Sequence, residues 1–447
     1  MLVRSERWIL GGALGLLWTM FLTFVASAIL GFPLTLFGFL AVQIVALLIA
    51  GGLWFGTTRS RMPHESGTRI RMQTRPSTTL NIVLLILFCW TLIKIGATGF
   101  DLLTTPTFFN DSITNWNARA KVFFVEKKFS LRLPSDTPGE PPGGIRSYPP
   151  AIPLAKAWFA TLAGKWNEGL VNAIHMMWFL ALLLLVFLNL RRHVSFVTAA
   201  LGTYLLSSVP LVLLHGLAAY ADIFMALHLF IPAMLLFHAL HQDHAEDALS
   251  FLRLSAFAIA LVPFTKNEGL LLYFPPLILF FLGTHWHLLQ RRVLSKRDAV
   301  RSLAWILFFS MIVVIPWLAF KWTHGLPFGN AKPLGAFGLA WQPGVLQAVG
   351  VSLFFHGSWL LLFPLLLFLL VTQWRAAFTS KIFFLTSFFL MLFFGQLLLY
   401  LFTGLGFEAL KQTGYGRGLL HLMPLATVLM SLLIANMNTL KNHSEAH

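Results

Sequence analysis

The chain repeats apolar runs of about twenty residues, the length a helix needs to cross the ~30 Å of hydrocarbon in a bilayer. Within lipid every backbone N–H and C=O must be paired inside the protein, so only helices and closed barrels span it. These runs are continuous rather than alternating, which points to helices. Of 447 residues, 57% are hydrophobic and 11% charged, against about a quarter charged in soluble domains. An ordinary soluble enzyme is excluded, and so is a disordered chain, which needs low hydrophobicity. The sequence reads as an all-α polytopic membrane protein.

Windows of sufficient length lie near 8–30, 33–55, 79–98, 169–190, 194–214, 222–240, 250–264, 269–286, 302–321, 346–371, 382–402 and 419–438, about twelve spans in all. The first two form a tight hairpin through Gly31-Phe32-Pro33, and 250–264 is the shortest. No small-residue cleavage site follows the first run, so it reads as a retained span. Cys89, the single cysteine, lies inside an apolar run and has no intrachain partner for a disulfide. No internal repeat is evident.

The net charge of +16 reports first on orientation, because short cytoplasmic loops are enriched in Lys and Arg. With the N-terminus in the cytoplasm, 18 of the 32 basic residues fall on the inner side. They are Arg4, Arg7, Arg59, Arg61, Arg69, Arg71, Arg75, Arg191, Arg192, Arg253, Arg291, Arg292, Lys296, Arg297, Arg301, Arg375, Lys381 and Lys441. Seven of the other 14 lie between Arg119 and Lys156, in a long loop where the rule is weak. Both termini are therefore expected in the cytoplasm of a bacterial inner membrane, with no nucleic-acid partner.

One outer loop, about 99–168, is long, and a loop of that length in a compact protein is usually functional. It carries Asp101 and Asp111. After Asp111-Ser112, the residues Ile113, Trp116, Ala120, Phe123 and Phe124 recur at helical spacing among Arg119, Lys121, Lys127 and Lys128. That pattern predicts a basic amphipathic helix in the membrane interface. Asp111 is either functional there or a helix cap near the positive end of the dipole. A Pro/Gly-rich stretch from Pro134 to Gly144 follows, and Tyr148-Pro149-Pro150 then precedes a short apolar helix over 154–166. Irregular backbone at membrane depth is tolerated where it borders a protein-lined cavity.

Two further carboxylates sit at outer ends of spans. Asp222 opens the sixth span, and Glu268 lies in the turn Lys266-Asn267-Glu268. Ionisable groups there are costly and usually face a cavity and a partner. The bland readings are a cap for Asp222 and a structural bridge to Lys266 for Glu268. Arg417, at the outer mouth of the final span, has a fork of donors suited to phosphate, and His421 lies one turn further on the same face. The alternative is an arginine snorkelling to headgroups.

These residues together resemble the GT-C fold of integral-membrane glycosyltransferases. The match rests on the acidic outer loop with its interfacial helix, the Tyr-Pro-Pro segment and the terminal Arg417-x-x-x-His421-x-x-Pro424. The nearest likeness is to the bacterial protein mannosyltransferase and aminoarabinose transferase group. The resemblance implies an aspartate acting from the first outer loop. Asp111 is the match, followed by Ser112 where the family often has glutamate; Asp101 is a rival, and Asp222 a further catalytic candidate. It implies a polyprenyl-phosphate sugar donor, with Arg417 on the phosphate, helped by His421, Lys266 and Arg119. Trp116, Tyr148, Tyr220 and Glu268 are expected along the substrate cavity. Three units follow: spans over 1–98, a catalytic loop over 99–168, and helices over 169–447 that form the donor groove. The acceptor is a lipid, glycan or protein on the periplasmic face.

The chemistry fits that expectation. A carboxylate that deprotonates an acceptor hydroxyl contributes about 10²–10⁴-fold, and positive charge stabilises the departing phosphate. No cofactor is required, in keeping with the absence of a glycine-rich phosphate loop. A divalent metal among Asp111, Asp222, Glu268 and His215 is a weaker reading, since the sequence has no His-Glu-x-x-His signature. His228 and His238, on one helix, read as core residues. The competing functional class is a transporter or lipid flippase, which favours charges or broken helices near the bilayer midplane and often inverted repeats.

Overall fold

The computed structural model describes residues 2–58, 77–133, 144–329, 338–379 and 381–444. The basic run from Arg59 to Arg75, most of the proline/glycine stretch (134–143) and the side chain of Lys441 lie outside the described residues. All regular structure among the described residues is helical. In chain order, α1 is Arg4–Phe24, α2 Leu36–Thr58, α3 Thr78–Thr104, α4 Ala118–Glu126, α5 Ala151–Ala163 and α6 Glu168–His193. Next come α7 Phe196–Ser208, α8 Pro210–Leu217, α9 Asp222–Leu240, α10 Ala245–Leu261, α11 Phe274–Gln290 and α12 Lys296–Thr323. The remainder are α13 Val345–Phe354, α14 Leu362–Thr372, α15 Trp374–Thr379, α16 Ile382–Phe402, α17 Gly406–Leu410 and α18 Gly414–Ser444.

Nine of these elements, among the described residues, are long and apolar enough to cross a bilayer, or ten if the bent pair α7–α8 counts as one span. The protein is an integral membrane protein. The twelve windows read from sequence differ from this count at identifiable breaks. Proline at 210 has no N–H to donate and holds Val209 extended, so α7 and α8 meet at 70°. The window 346–371 splits into α13 and α14 around a 3-10 turn at Gly357–Trp359, with Leu360 at φ 54°. The described apolar part of α2, Leu36–Gly52, is shorter than a full span.

α9 is the axis of the bundle. Every residue from Asp222 to Leu240 is buried, and a helix apolar all round belongs in such a position. α6, α10, α11 and α18 pack around it. Its two histidines are satisfied core residues, as their placement in an apolar run suggests. His228 accepts from Trp178 Nε1 at 3.1 Å and donates to Thr265 Oγ1 at 2.8 Å, and His238 bonds Asn189 Oδ1 at 2.6 Å. At the end of the bundle away from Asp222, buried Glu6 takes Arg192 Nε at 2.8 Å. α3 is the reverse of α9: only Ile95, Gly99 and Leu102 are buried, a half-covered stripe packs on α6 and α7, and most of the remaining surface faces outward.

The connection between α3 and α6 carries the π-helical turn Ser112–Asn117, then α4 and α5. Its amphipathic helix does not lie free on the interface. Trp116, Ala120 and Phe123 are fully buried against the protein, and α4 packs on α5. The two ends of the connection are pinned where α3 meets α6, and a Cβ on Gly169 would collide with the Leu103 carbonyl. Backbone cannot yield there as a side chain can. Gly169→Ala should therefore destabilise the protein by about 1–3 kcal/mol. Thermal unfolding in detergent should show a lower midpoint than for Gly164→Ala, whose Cβ meets open space at a positive φ.

Candidate active site

The site is built around a buried carboxylate. Asp222 lies in the first turn of α9 and is wholly inaccessible. Its Oδ1 accepts from Lys266 Nζ at 2.8 Å and His421 Nε2 at 3.0 Å. Its Oδ2 accepts from Arg417 Nε at 3.0 Å and His215 Nδ1 at 3.1 Å. The donors come from α8, from the turn between α10 and α11, and from one face of α18, where Arg417 and His421 are a turn apart. His421 is oriented from behind: its Nδ1 accepts from Tyr273 Oη at 2.7 Å, and Gln396 Nε2 donates to the same hydroxyl at 3.1 Å.

A carboxylate offers about four lone-pair sites. All four on Asp222 are used, so it has none left for a substrate proton. In this arrangement Asp222 holds its four donors in place. Of the residues named for a metal, His215 Nδ1 and Asp222 Oδ2 do meet, at 3.1 Å. Among the described residues no group of three or more His, Cys, Asp and Glu side chains is arranged to hold a metal ion.

Asp111 stands at the accessible edge of the group and is about a quarter exposed. It does not cap the following turn through its side chain. Its Oδ1 accepts from Asn115 Nδ2 at 2.9 Å, while its Oδ2 lies 2.6 Å from Arg417 Nη1. Ser112 Oγ donates to Ala218 O at 2.9 Å and so fastens this turn to the segment before α9. Arg417 bridges the two carboxylates and lies over the Tyr220 ring at 5.2 Å. Tyr220 in turn stacks on His215 at 4.5 Å.

Lys266 joins a third carboxylate, with its Nζ 2.9 Å from Glu268 Oε1. The structural bridge read from sequence is present, and Asp222 is an additional partner. Burial opposes a charged Lys266, yet Asp222 and Glu268 hold its pKa above the ordinary value. Burial likewise opposes an ionised Glu268, and Lys266 keeps its pKa below the usual glutamate value. Two polar atoms at this edge have neither a hydrogen-bond partner nor an ion-pair contact: Glu268 Oε2 and Arg417 Nη2. Unpaired buried polar atoms are costly, and a ligand is one way to satisfy them.

The other sequence candidates fall around this group. Tyr148 packs on the buried Trp116 ring at 5.1 Å. Burial raises the Tyr148 pKa, and Glu268 raises it further. Arg119 is itself buried and donates from Nη1 to Tyr148 O at 2.9 Å, so its fork is used to hold the Tyr-Pro-Pro backbone. Burial lowers its pKa to about 10. Asp101 is not brought in. α3 continues past the apolar window to Thr104, and Asp101 is exposed there, accepting from Thr105 Oγ1 at 2.6 Å.

Two buried lysines escaped the sequence reading. Lys156 Nζ donates to Asn117 Oδ1 at 2.5 Å and Asn172 Oδ1 at 2.8 Å, and both amides donate to Thr107 Oγ1 at 3.0 Å. This network ties the Asp111 turn to α5 and α6. Lys321 Nζ donates to Asn267 Oδ1 at 2.7 Å. Asn267 reaches Ser147 Oγ at 3.3 Å, which fixes the Lys266–Glu268 turn against the Tyr148 segment. A lone lysine or glutamine inside an apolar run was the available signal.

Removing the central carboxylate's charge leaves Lys266 and Arg417 short of a counter-ion in a buried setting. Asp222→Asn should cost roughly 3–5 kcal/mol, with thermal unfolding showing a much larger loss than for Asp111→Asn. Lys156 gives a pH signature. Burial lowers its pKa from the ordinary 10.5 to about 7, with Glu168 opposing. The unfolded chain therefore binds the extra proton between those values, and stability from this residue is lost as pH falls from 10.5 through 7. The unfolding midpoint should rise more between pH 7 and pH 9 for the wild type than for Lys156→Met, by up to ~1.4 kcal/mol per pH unit.

No protein-family model matches the chain, and no curated protein matches its sequence. Two solved structures are similar in fold. The crystal structure of ArnT from Cupriavidus metallidurans bound to undecaprenyl phosphate aligns with a TM-score of 0.57 at 13% identity, covering 80% of this chain and 60% of that one. The apo structure of the same protein aligns with a TM-score of 0.56 at 14% identity over the same shares. The chain thus spans about 60% of the length of its structural relative. ArnT is an aminoarabinose transferase and a GT-C glycosyltransferase. The architecture expected from the sequence is the one found: an all-α membrane bundle of the GT-C fold.

Proposed function

We propose that the protein is a membrane glycosyltransferase that moves a sugar from a polyprenyl-phosphate donor to an acceptor hydroxyl on the outer, periplasmic face. The observation that carries this reading is the Arg417 bridge. One guanidinium joins a saturated, buried Asp222 to a reachable Asp111 at the edge of a lipid-embedded bundle. The fold is shared with an ArnT structure that holds undecaprenyl phosphate. In this reading the polyprenyl tail lies against apolar faces of the helices after residue 168.

The edge of the group has three carboxylates, Asp111, Asp222 and Glu268, against two fixed cations, Arg417 and Lys266. A phosphate is accommodated only if a cation is released to it. Arg417 Nη2 is without a partner and Nη1 is held only by Asp111. A donor phosphate therefore takes over the Nη1 and Nη2 edge in bidentate fashion, while Nε stays on Asp222. The exchange frees Asp111. The acceptor oxygen then attacks the sugar C1, its proton passes to Asp111, and the C1–O bond breaks with its electrons leaving on the polyprenyl phosphate. Lys266 and His421 hold Asp222 in place and add positive field. Tyr220 and Glu268 border the sugar and acceptor, while Tyr148 and Trp116 are buried. Asp101 and Arg119 do not enter this reading.

Purified protein in lipid nanodiscs, given a mixed pool of polyprenyl-phosphate sugars and acceptors, should release free polyprenyl phosphate detectable by mass spectrometry. Asp111→Asn should lower that release by about 10²–10⁴-fold while the protein stays folded. Arg417→Ala should raise the donor concentration needed by more than it slows turnover at saturation. Full activity in Asp111→Asn would remove Asp111 as the base, and no release with any donor would favour transport over transfer.

A further inference from the structure

An ionisable residue within a membrane span normally faces the bundle interior and finds a partner of opposite charge. Lys94 is held at the contact between α3 and α7, but no carboxylate among the described residues pairs with it. It is partly exposed and lies on the half-covered stripe of α3 that includes Leu87, Thr91 and Thr98, with exposed Trp90 one turn before it. Asp101 is seven residues on, about 10 Å along the helix, which puts Lys94 below the outer end of the span. Its Nζ donates to Ser208 Oγ at 2.7 Å and to Ser207 O at 3.5 Å, and it sits over the Tyr204 ring at 4.9 Å. All of these are neutral groups.

Ser208 is the last residue of α7, whose C-terminal dipole carries about half a negative charge. That compensation is offset, because α8 begins at Pro210 with its positive end at the same elbow and no side-chain cap. The ammonium thus keeps most of its charge at a half-exposed position against lipid. We propose that Lys94, Ser208 and the Tyr204 ring form a lipid-facing docking site for the phosphate of an anionic membrane lipid. The ammonium is the donor suited to phosphate oxygens, Ser208 Oγ donates to Tyr204 O at 2.7 Å and holds the ammonium in place, and the outward faces of α3 leave apolar surface for the acyl or prenyl chain. The elbow is joined to the candidate active site by α8 itself. That helix runs about 12 Å and carries His215, which donates to Asp222. The docking site stands without the transferase reading. Only its service as an approach to Arg417 rests on it.

Native mass spectrometry of the full chain in detergent tests this with three probes: undecaprenyl phosphate, phosphatidylglycerol and inorganic phosphate. Lys94→Met should weaken one lipid-binding event by about tenfold or more, while Lys94→Arg keeps it. Loss for undecaprenyl phosphate alone assigns the site to the prenyl lipid, and loss for both lipids assigns it to lipid phosphates in general. Unchanged lipid binding in Lys94→Met, or an effect confined to inorganic phosphate, overturns the proposal. Arg417→Ala should leave this event intact and remove a separate one. Retention of both events in that variant counts against the Arg417 phosphate reading instead. Amine labelling of Lys94 in the wild-type protein needs no variant: undecaprenyl phosphate should slow it severalfold, and undecaprenol should not. Equal labelling with both also overturns the site.

Discussion

Four donors converge on the two oxygens of Asp222, and the geometry of this whole end of the bundle follows from that convergence. A buried carboxylate is tolerated only when paired and hydrogen-bonded. The pairing here recruits α8, the Lys266 turn and α18 at once. Each of those elements is then held in one position relative to α9. Arg417 is the component with spare capacity. Its Nε is committed to Asp222, and its outer edge is shared with Asp111 or left unpaired. A cation fixed at one end and exchangeable at the other suits a site that must take in and release a phosphate.

Polar networks in which a lysine meets neutral partners do the remaining positioning. The Lys156 amide network and the Lys321–Asn267–Ser147 contacts hold the loop carrying Asp111 and the turn carrying Lys266. Both draw on lysines set among mostly apolar neighbours, Lys156 in α5 and Lys321 near the end of α12. Their hydrogen bonds keep the connection between α3 and α6 packed down on the bundle, with Trp116 and Phe123 buried beneath it.

Much of this was legible in the sequence. Apolar length placed most of the spans, including 222–240, because a lipid-spanning helix leaves few other ways to bury its backbone polarity. The four-residue spacing placed Arg417 and His421 on one face. The positions of Asp222 and Glu268 at span ends marked them as partnered. What the sequence did not reveal is which carboxylate is saturated. That depends on side chains from α8, α9 and α18 meeting in space, and no local pattern encodes it. Hydropathy also does not distinguish a span from two half-helices, so the elbow at Pro210 and the break around Gly357 went unseen. Asp101 looked equivalent to Asp111 because the apolar window ended before the helix did.

The central claim is that Asp111 and a lipid phosphate compete for the same edge of Arg417. The most direct test is the affinity of purified protein for undecaprenyl phosphate at neutral pH, compared between wild type and Asp111→Asn. Removing the competing carboxylate should tighten binding severalfold, since a charge-assisted bond no longer has to be broken first. Equal or weaker binding in the variant would contradict the exchange.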